Sequence, residues 1–440
     1  MTSTALLTDH YELTMLQAAL TSEAARRRSV FEMFARRLPP GRRYGVVAGV
    51  GRMLDAVTAF RFSEEILADL ASRQVVDRAT LGYLEDYRFR GSIWGYAEGE
   101  VYLPGSPLLV VEASFADACI LETVLLSIYN HDCAVAAAAS RMVSAAADRP
   151  CIEMGSRRTH EWAAVAAARA AYVAGFATTS NLEAGRQYGL PTAGTSAHSF
   201  TLLHDDEDTA FAAQVAGLGA GTTLLVDTYD VGRAVRAAVR IAGSDLGAVR
   251  IDSGDLLVQA REVRGLLDEL GAVRTRIVVT SDLDEYAIAA LAAAPVDAYG
   301  VGTSLVSGSG APTAGLVYKL VARADNTGHL VGVAKKSTHK ASVGGRKYAL
   351  RRRDTSGRAE AEVIGVGAPP QDDGDDRPLL IELIRDGAVV ADTGVAEARA
   401  HHQATLAELP DAARRLSRGE PAIPTIFAHL PTPGPTPMPT

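Results

Sequence analysis

Cysteine, long apolar stretches and basic clusters are all scarce in this sequence. Its three cysteines, at positions 119, 133 and 151, match no zinc-ligand spacing, and their odd number argues against a disulfide framework. A small number of cysteines without a disulfide framework is typical of proteins in a reducing compartment, so we expect a cytoplasmic protein. No apolar stretch reaches the roughly 20 residues that a membrane span needs, and MTSTALLTDHYELTML lacks the basic and apolar regions of a signal peptide. The sequence therefore predicts no membrane partner.

Positive charge is not concentrated anywhere in the chain. The formal net charge is -8, and no long run of Lys or Arg occurs. Because nucleic-acid binding requires a basic face that neutralises phosphates, we expect no nucleic-acid partner. A small phosphorylated substrate is compatible with this charge, since it needs only a few local donors. Hydrophobic residues make up 48%, which predicts globular domains, and a length of 440 residues favours two or three of them.

The order of predicted strands and helices divides the chain into four parts. Residues 1–114 mix helices with strands. Residues 115–316 begin with one long predicted helix and continue as an α/β series. Residues 317–430 return to a β-rich pattern and end in a helix. Residues 431–440 form a Pro-rich tail that is predicted to be disordered.

Short β-like segments alternate with helices from Cys151 to about residue 305. The β-like segments are CIEMG, FATTS, PTAGTSA, TTLLVDTY, AVRIDSG, RIVVTSD and DAYGVGTSL. Alternation of this kind indicates parallel strands joined by crossover helices. About seven such units favour a barrel over an open doubly wound sheet. We therefore predict an α/β protein with an irregular (β/α) barrel and a second α+β domain built from the N- and C-terminal parts.

Polar side chains follow the predicted strands at their carboxyl ends, which is where α/β barrels carry their active sites. Each polar residue alone can be a helix cap, because Ser, Thr, Asp and Asn accept hydrogen bonds from the first turn of a helix. Together they favour a catalytic site over a purely structural barrel. They are Glu153, Arg157, Arg158, Thr178, Thr179, Ser180, Asn181, Thr195, His198, Asp227, Thr228, Asp230, Arg250, Asp252, Ser253, Asp255, Ser281, Asp282, Asp284, Gly300, Gly302, Thr303 and Ser304.

The run RIDSGDL at 250–256 is the most informative of these strand ends. Arg250 and Asp252 are separated by one residue, so on a strand both side chains point to the same face. Arg250 is suited to holding a carboxylate through two parallel hydrogen bonds. Asp252 and Asp255 are suited to Mg²⁺ or to ribose hydroxyls. The structural alternative is an Arg–Asp ion pair followed by a capping aspartate.

The run YGVGTSL at 299–305 places two glycines and two hydroxyls at another strand end. Backbone N–H groups in such a turn form a concave anion site, although the spacing is not that of a dinucleotide-binding fingerprint. Lys319 follows on a β-like run and is a candidate phosphate contact. Taken alone, each of these signals is weak, and Lys319 by itself reads as a surface charge.

The single histidine in PTAGTSAHSF, His198, has several possible roles. It can be a buried spacer, a general base, a metal ligand or a group that is itself covalently modified. A metal role is disfavoured because no second His or carboxylate lies at helix spacing beside it. The residues alone favour a general base.

Nine motifs in one order resemble the nicotinate phosphoribosyltransferase family. The resemblance covers residues 8 to about 350, and its most specific pair is GTSAHSF with RIDSGD. The motifs are TDHYELTM, SRM, GSRR, ATTSN, GTSAHSF, RIDSGD, TSDLDEY, YGVGTSL and YKL. The resemblance implies an enzyme of NAD salvage that forms nicotinate mononucleotide and pyrophosphate from nicotinate and phosphoribosyl pyrophosphate, with ATP hydrolysis. It also implies a type II phosphoribosyltransferase fold and a homodimer with shared active sites.

The resemblance also implies residue roles, carried over position by position. His198 is implied to be phosphorylated by ATP. On physical grounds, Asp252 is suited to stabilise positive charge on the ribose as the pyrophosphate leaves. Asp252 and Asp255 are the candidates for Mg²⁺. Nicotinate contacts are implied for Tyr11 (from the neighbouring subunit), Ser180, Thr195 and Arg250. Phosphate or ribose contacts are implied for Arg157, Ser253, Asp255, Ser281, Asp282, Gly302, Thr303 and Lys319.

Three other functions fit the same fold. A nicotinamide phosphoribosyltransferase is disfavoured because Ser180 stands where that relative has a carboxylate facing the substrate amide. A quinolinate phosphoribosyltransferase needs more basic residues for two carboxylates. A non-catalytic metabolite sensor would be expected to lack His198, Asp252 or Arg250. Met154 and Ser156 flank Gly155 where relatives often carry an aromatic or apolar residue, and this departure concerns the residue that would face the pyridine ring.

Overall fold

The computed structural model describes residues 3–335 and 342–428; the predicted tail at 431–440 and residues 336–341 lie outside this range. The helices are α1 (His10–Thr21), α2 (Val50–Ala59), α3 (Glu64–Ser72), α4 (Arg78–Glu85), α5 (Phe115–Cys119), α6 (Glu122–Ala146), α7 (Glu161–Val173), α8 (Leu182–Tyr188), α9 (His198–Leu202), α10 (Glu207–Leu218), α11 (Val231–Ala242), α12 (Leu256–Glu269), α13 (Glu285–Ala290), α14 (Thr303–Val306) and α15 (Val395–Glu408). The strands are β1 (Arg28–Ala35), β2 (Gly45–Val46), β3 (Ser92–Tyr96), β4 (Val101–Tyr102), β5 (Leu109–Ser114), β6 (Cys151–Glu153), β7 (Thr178–Thr179), β8 (Thr223–Leu225), β9 (Ala248–Ile251), β10 (Arg276–Val279), β11 (Ala298–Val301), β12 (Leu316–Ala324), β13 (Leu330–Gly332), β14 (Lys347–Arg353), β15 (Ala359–Val366), β16 (Arg377–Pro378), β17 (Leu380–Arg385), β18 (Ala388–Val389) and β19 (Thr425–Ala428).

The chain forms two compact units. The first comprises residues 1–134 together with 313–440, and the second comprises residues 135–312. The boundary falls inside α6, the 25-residue helix that carries the chain from one unit to the next. Among residues 3–335 and 342–428, no helix combines the length and the apolar content that a membrane crossing requires.

The first unit is built around a seven-stranded antiparallel sheet with the order β13-β12-β1-β5-β3-β17-β18. The interior strand β1 is buried at every residue after Arg28, which explains why most of its sequence RSVFEMFA is apolar; the buried Glu32 is paired with Lys347. Phe31 of β1 stacks on Tyr318 of β12 with 4.9 Å between ring centroids. A four-stranded sheet, β16-β14-β15-β19, contributes a buried ion pair between Arg351 and Glu362.

The second unit carries the parallel sheet that the sequence predicts. Six strands run in the order β7-β6-β11-β10-β9-β8, all parallel, and curl into a half-barrel. The strands are two to four residues long, and most of their residues are apolar, as in RIVV of β10, because helices cover the sheet. The Ala-rich helix α7 is buried along most of its length, since small side chains allow close packing. The predicted mixed α/β fold with a parallel sheet is thereby confirmed.

Aspartate and asparagine side chains start four helices directly after strand ends. Asn181 accepts a hydrogen bond from the backbone N–H of Ala184, and Asp230 accepts one from that of Arg233. Asp255 and Asp284 do the same for α12 and α13. These contacts satisfy N–H groups that have no partner within the helix. Several polar residues at the strand ends therefore have the capping role that the sequence left open.

Three local predictions were wrong. The predicted single helix from residue 115 is two helices, α5 and α6, which are interrupted at Ile120 and Leu121 without a Gly or Pro signal. The segment Pro191–Ala197 is not a strand: it makes one isolated parallel bridge, between Thr179 and Thr192, because its small residues provide little apolar surface to bury. The first half of α6 packs into the core of the first unit, whereas the sequence assigned it to the barrel.

Candidate active site

A small cavity lies at the carboxyl ends of four strands of the second unit. Its volume is about 110 Å³, and the segments after β6, β9, β10 and β11 enclose it. Parallel strands present all their carboxyl ends at one edge of a sheet, so the polar residues there converge. The lining residues are Met154, Arg157, Arg158, Arg250, Asp252, Thr280, Ser281, Asp282, Gly300, Gly302 and Thr303.

Arg250 is the most strongly constrained cation of this cavity. Its Nη1 donates to Oγ1 of Thr195 at 2.6 Å and to the carbonyl of Ser196 at 3.2 Å. Its buried Nε has no hydrogen-bond partner among the described residues. Burial lowers the pKa of the guanidinium, and the nearby carboxylate of Asp252 opposes that change. Arg250 therefore presents a preoriented donor group that retains hydrogen-bonding capacity.

Asp252 lies beside Arg250 at the same strand end and lines the same cavity. The hydroxyl of Thr280 donates to its Oδ1, which fixes one carboxylate oxygen. The same-face geometry expected of Arg250 and Asp252 is thus present. An anionic oxygen and a guanidinium next to each other suit a substrate that carries both developing positive charge and a carboxylate.

Asp227 organises the adjoining strand end through a buried carboxylate, whose side chain is 2% exposed. Its Oδ2 accepts from the backbone N–H of Asp252 at 2.9 Å and from the hydroxyl of Ser253 at 2.7 Å. Its Oδ1 lies 3.3 Å from Nε2 of His198, the first residue of α9. His198 is 40% exposed, so its ring is anchored on one side and accessible from solvent.

Glu153, at the end of β6, is buried beneath the loop that carries Arg157. Its carboxylate accepts from the backbone N–H of Gly155 and from the hydroxyl of Thr179. Burial raises the pKa of Glu153, and these two donors oppose the rise. Glu153 therefore holds the turns after β6 and β7 in place rather than facing a substrate.

Two backbone features shape the cavity wall. A Cβ atom on Gly300 would lie 2.5 Å from Cγ2 of Thr280 and 2.8 Å from Sδ of Met154, so any other residue there would require these side chains to shift. Ser281 has φ of 128°, a left-handed conformation that favours glycine and is strained for serine. Strained backbone of this kind persists only where the surrounding structure enforces it.

The structure places the remaining second-unit predictions in the cavity lining, beside it or outside it. Arg157, Ser281, Asp282, Gly302 and Thr303 line the cavity together with Arg250 and Asp252. Thr195, Ser253 and His198 contact these residues or Asp227 through the hydrogen bonds above. Ser180 is half-buried, and its backbone N–H donates to the carbonyl of Glu153 at 2.8 Å. Asp255 lies outside the cavity lining, where its Oδ1 caps α12 by accepting from Val258.

Tyr11 and Lys319 belong to the first unit and share one neighbour, Glu122. Nζ of Lys319 lies 3.3 Å from Oε1 of Glu122. Burial, followed by the negative charge of Glu122, raises the pKa of the Tyr11 hydroxyl. Tyr11 remains 48% exposed. Both predicted ligand-binding residues are therefore anchored within their own unit to the start of α6.

The donor set suits a magnesium ion only in part. Asp252 and Asp282 both line the cavity, and Mg²⁺ typically combines one or two carboxylates with water and substrate phosphates. The carboxylate of Asp255 is engaged at a helix start. Asp252 thus fits the predicted metal role, while Asp255 is better described as a cap.

Three residues of this site have roles that sequence reasoning did not assign. Asp227 and Glu153 were recognised only as polar strand ends, and Thr280 was not singled out. Asp227 and Thr280 each hold the predicted residue Asp252 through a hydrogen bond, and Glu153 holds Gly155 and Thr179 at the neighbouring strand ends. A strand-end carboxylate gives the same sequence signal whether it caps a helix or is buried among donors. Only the tertiary structure separates the two.

Comparisons with known proteins identify relatives of the whole chain. A family model described as the nicotinate phosphoribosyltransferase (NAPRTase) N-terminal domain matches residues 6–130. Nicotinate phosphoribosyltransferase pncB1 of Mycobacterium tuberculosis is 58% identical over 429 residues, which cover 96% of this chain and 94% of that protein. Nicotinate phosphoribosyltransferase of Bacillus subtilis is 36% identical, covering 79% and 73% respectively. The crystal structure of human nicotinic acid phosphoribosyltransferase matches with a TM-score of 0.81 and 27% identity, covering 96% of this chain and 97% of its own.

Proposed function

The chain belongs to the nicotinate phosphoribosyltransferase family, and we propose that it transfers the phosphoribosyl group of phosphoribosyl pyrophosphate to nicotinate. The products are nicotinate mononucleotide and pyrophosphate, an early step of NAD biosynthesis. The observation that carries the proposal is the pairing of Arg250 with Thr195 beside Asp252, because it joins a carboxylate-binding group to a charge-stabilising one in a single cavity.

Nicotinate is a pyridine carboxylate, and Arg250 is matched to its carboxylate. A guanidinium binds a carboxylate through two parallel hydrogen bonds, and the contact with Thr195 orients it in advance. Since Arg250 is partly withdrawn from water, its interaction with an anion is less screened than at the surface. We assign Ser180 to the same carboxylate as a neutral donor.

Transfer itself needs charge stabilisation more than proton transfer. The bond between ribose C1 and the pyrophosphate oxygen breaks, positive charge builds on the sugar, and the pyridine nitrogen forms the new bond to C1. Asp252 supplies a fixed negative charge for that transition state, held in place by Thr280 and by the support of Asp227. No general base is required because the ring nitrogen already has a free electron pair.

We assign the phosphates to other residues that line the cavity. Arg157 and the backbone of Gly302 and Thr303 supply donors for phosphate oxygens, and Asp282 supplies an acceptor for ribose hydroxyls. Ser281 and Ser253 are further hydroxyl donors in the proposal. Asp252 would hold Mg²⁺, which when bound neutralises the charge that develops on the leaving pyrophosphate.

ATP coupling is assigned to His198. When Nε2–H donates to Asp227, the neutral ring leaves the Nδ1 electron pair as the nucleophile. In the proposed step Nδ1 bonds to the γ-phosphorus of ATP, the bond to the bridging oxygen breaks, and ADP leaves. The resulting phosphohistidine adds negative charge near the pyrophosphate site and thereby changes its affinity.

The assembly proposed for this enzyme is a cytoplasmic homodimer with shared active sites. The family resemblance supports this assembly. In the proposal, Tyr11 stacks on the pyridine ring of nicotinate bound in the neighbouring subunit, and Lys319 contacts a phosphate group. Tyr11 has an exposed ring for such a contact. The cysteines 119, 133 and 151 are all unpaired and buried, which suits a reducing compartment.

A direct assay tests the function. Purified protein is incubated with phosphoribosyl pyrophosphate, Mg²⁺ and either nicotinate or nicotinamide, with and without ATP, and the mononucleotide and pyrophosphate are quantified. We expect product from nicotinate and a higher rate with ATP. Product from nicotinamide and none from nicotinate would overturn the assignment of Ser180 and would indicate a nicotinamide phosphoribosyltransferase.

The same assay, repeated with quinolinate as the base, distinguishes a decarboxylating enzyme and a sensor from the proposed transferase. Product from quinolinate with release of CO₂ would indicate a quinolinate phosphoribosyltransferase. No product from any base, together with tight binding of phosphoribosyl pyrophosphate by calorimetry, would indicate a non-catalytic sensor.

A further inference from the structure

One buried carboxylate, that of Glu285, joins three segments of the second unit. Nε of Arg141, on α6, donates to its Oε1 at 3.0 Å. The hydroxyl of Ser309, in the loop after α14, donates to its Oε2 at 2.5 Å. The side chains of Glu285 and Arg141 are 1% and 6% exposed, so this ion pair is shielded from water. A shielded, hydrogen-bonded pair has a narrow geometry and is costly to break.

Glu285 lies between the two loops that form one wall of the cavity. It is the first residue of α13, directly after the segment that carries Ser281 and Asp282. Its partner Ser309 follows α14, the short helix that starts at Thr303. The Glu285 carboxylate is therefore the point at which both loops are tied to the long helix α6.

Both loops contain strained backbone, which needs contacts such as those of Glu285 to hold it in place. Ser281 has φ of 128° and Ser309 has φ of 50°, both in the region that disfavours side chains. The N–H of Ser309 also donates to the carbonyl of Ser304 at 2.6 Å, which closes the second loop. Tyr286 adds a contact, with its hydroxyl 3.3 Å from Nη2 of Arg141. Conformations of this kind are maintained only when several contacts fix them at once.

We propose that Glu285 is a positioning residue for the phosphate-bearing substrate, acting through Arg141 and Ser309 on the loops at 281–282 and 302–303. This inference rests on the proposed function, since it assigns those loops to phosphoribosyl pyrophosphate. Glu285 does not line the cavity, so it acts through the loops alone. Nicotinate binds at Arg250 and Thr195 on other segments in the proposed function, and its affinity is independent of this tie.

Steady-state kinetics of Glu285→Gln and Ser309→Ala test the proposal. Glutamine keeps the shape of the side chain but removes the charge that Arg141 neutralises, and alanine removes one hydroxyl. The KM for phosphoribosyl pyrophosphate is expected to rise about tenfold in Glu285→Gln and less in Ser309→Ala. The kcat and the KM for nicotinate are expected to stay within about twofold. Equal effects on both KM values, or a fall in kcat alone, would overturn the positioning role.

Thr275→Val is the matched control. Thr275 is also buried in the second unit, but it lies just before β10, at the amino end of the sheet, where its hydroxyl donates to the carbonyl of Leu246. This variant is expected to lower the melting temperature without changing either KM. If it raises the KM for phosphoribosyl pyrophosphate as Glu285→Gln does, general loosening explains the effect and the proposal fails.

Calorimetry with pyrophosphate separates this proposal from the proposed function. If the wild-type chain has no transferase activity, the proposed function fails, while the positioning role is still tested by pyrophosphate affinity. Weaker binding in Glu285→Gln than in Thr275→Val supports positioning. Equal binding in wild type and Glu285→Gln overturns it.

Discussion

Nε2 of His198 lies 3.3 Å from Oδ1 of Asp227, a carboxylate that is almost completely buried. The second oxygen of Asp227 accepts from the backbone N–H of Asp252 and from Ser253. A single aspartate thus connects the residue proposed to be phosphorylated to the residue proposed to stabilise the ribose. We therefore expect a change of charge on His198 to affect the segment that follows β9 through Asp227.

We expect Asp227→Asn to uncouple ATP hydrolysis from transfer. Oδ1 of an asparagine can still accept from Asp252 and Ser253, but its amide N–H₂ would face Nε2 of His198 and force the tautomer whose Nδ1 carries the proton. The rate of ATP hydrolysis should then fall about 100-fold, while transfer at saturating phosphoribosyl pyrophosphate persists.

His198→Ala should abolish acid-labile, base-stable protein phosphate.

Asp230→Asn provides the comparison for that experiment. Asp230 is an exposed cap of α11, and asparagine caps equally well, so ATP hydrolysis should be unchanged. Retention of normal ATP hydrolysis in both Asp227→Asn and His198→Ala would remove His198 from the coupling step.

Arg250→Lys should weaken nicotinate binding selectively. Lysine keeps the positive charge but lacks the planar fork that forms two parallel bonds and contacts Thr195. We expect the KM for nicotinate to rise about 10- to 100-fold, with a small effect on the KM for phosphoribosyl pyrophosphate. Thr195→Val, which removes the orienting hydroxyl, should give a smaller change in the same direction. Equal increases in both KM values would indicate that Arg250 serves the phosphates instead.

Ser180→Asp should shift the enzyme from nicotinate toward nicotinamide. A carboxylate at this position repels the substrate carboxylate and can accept from an amide, so the ratio of kcat/KM for nicotinamide over nicotinate should rise at least about tenfold. Ser180→Asn has a similar shape without the charge and should change the ratio less. If both variants change the ratio equally, size rather than charge determines the preference.

The parallel sheet was predictable because its pattern is local. Short apolar segments such as RIVV, each followed by a capping residue and a helix, occur in no other common arrangement. The break at Ile120 was not predictable, since neither Gly nor Pro marks it and the apolar spacing continues through it. The segment at 191–197 was read as a strand by analogy with its neighbours, but without large apolar side chains it gains little from joining the sheet.

The sequence could predict which residues belong to the site, but not which contacts they make with one another. Arg250 and Asp252 share a face because strand geometry requires it, and both line the cavity. Asp227 and Asp255 look alike in the sequence, each near a strand end with a helix to follow. In the structure Asp255 caps a helix in solvent, whereas Asp227 is buried among three donors. That difference is set by packing from distant parts of the chain.

Acid should destabilise the protein partly through His402. This histidine of α15 is buried, its Nδ1–H donates to the carbonyl of Gly99 at 3.0 Å, and burial lowers its pKa to about 4. A lowered folded-state pKa means that the unfolded chain binds the proton more readily. Stability is therefore complete above the ordinary pKa of about 6.5 and is lost as the pH falls toward 4. The loss attributable to this residue is at most about 3 kcal/mol.

His402→Asn isolates this contribution, because its side-chain amide can replace the donor to Gly99 but does not titrate. Urea unfolding at several pH values between 7.5 and 4.5 should show a smaller loss of unfolding free energy in this variant than in wild type, whatever its stability at neutral pH. His329→Asn, at an exposed position, is the matched control and should retain the wild-type slope. A slope in His402→Asn equal to that of wild type would show that His402 takes up its proton without unfolding.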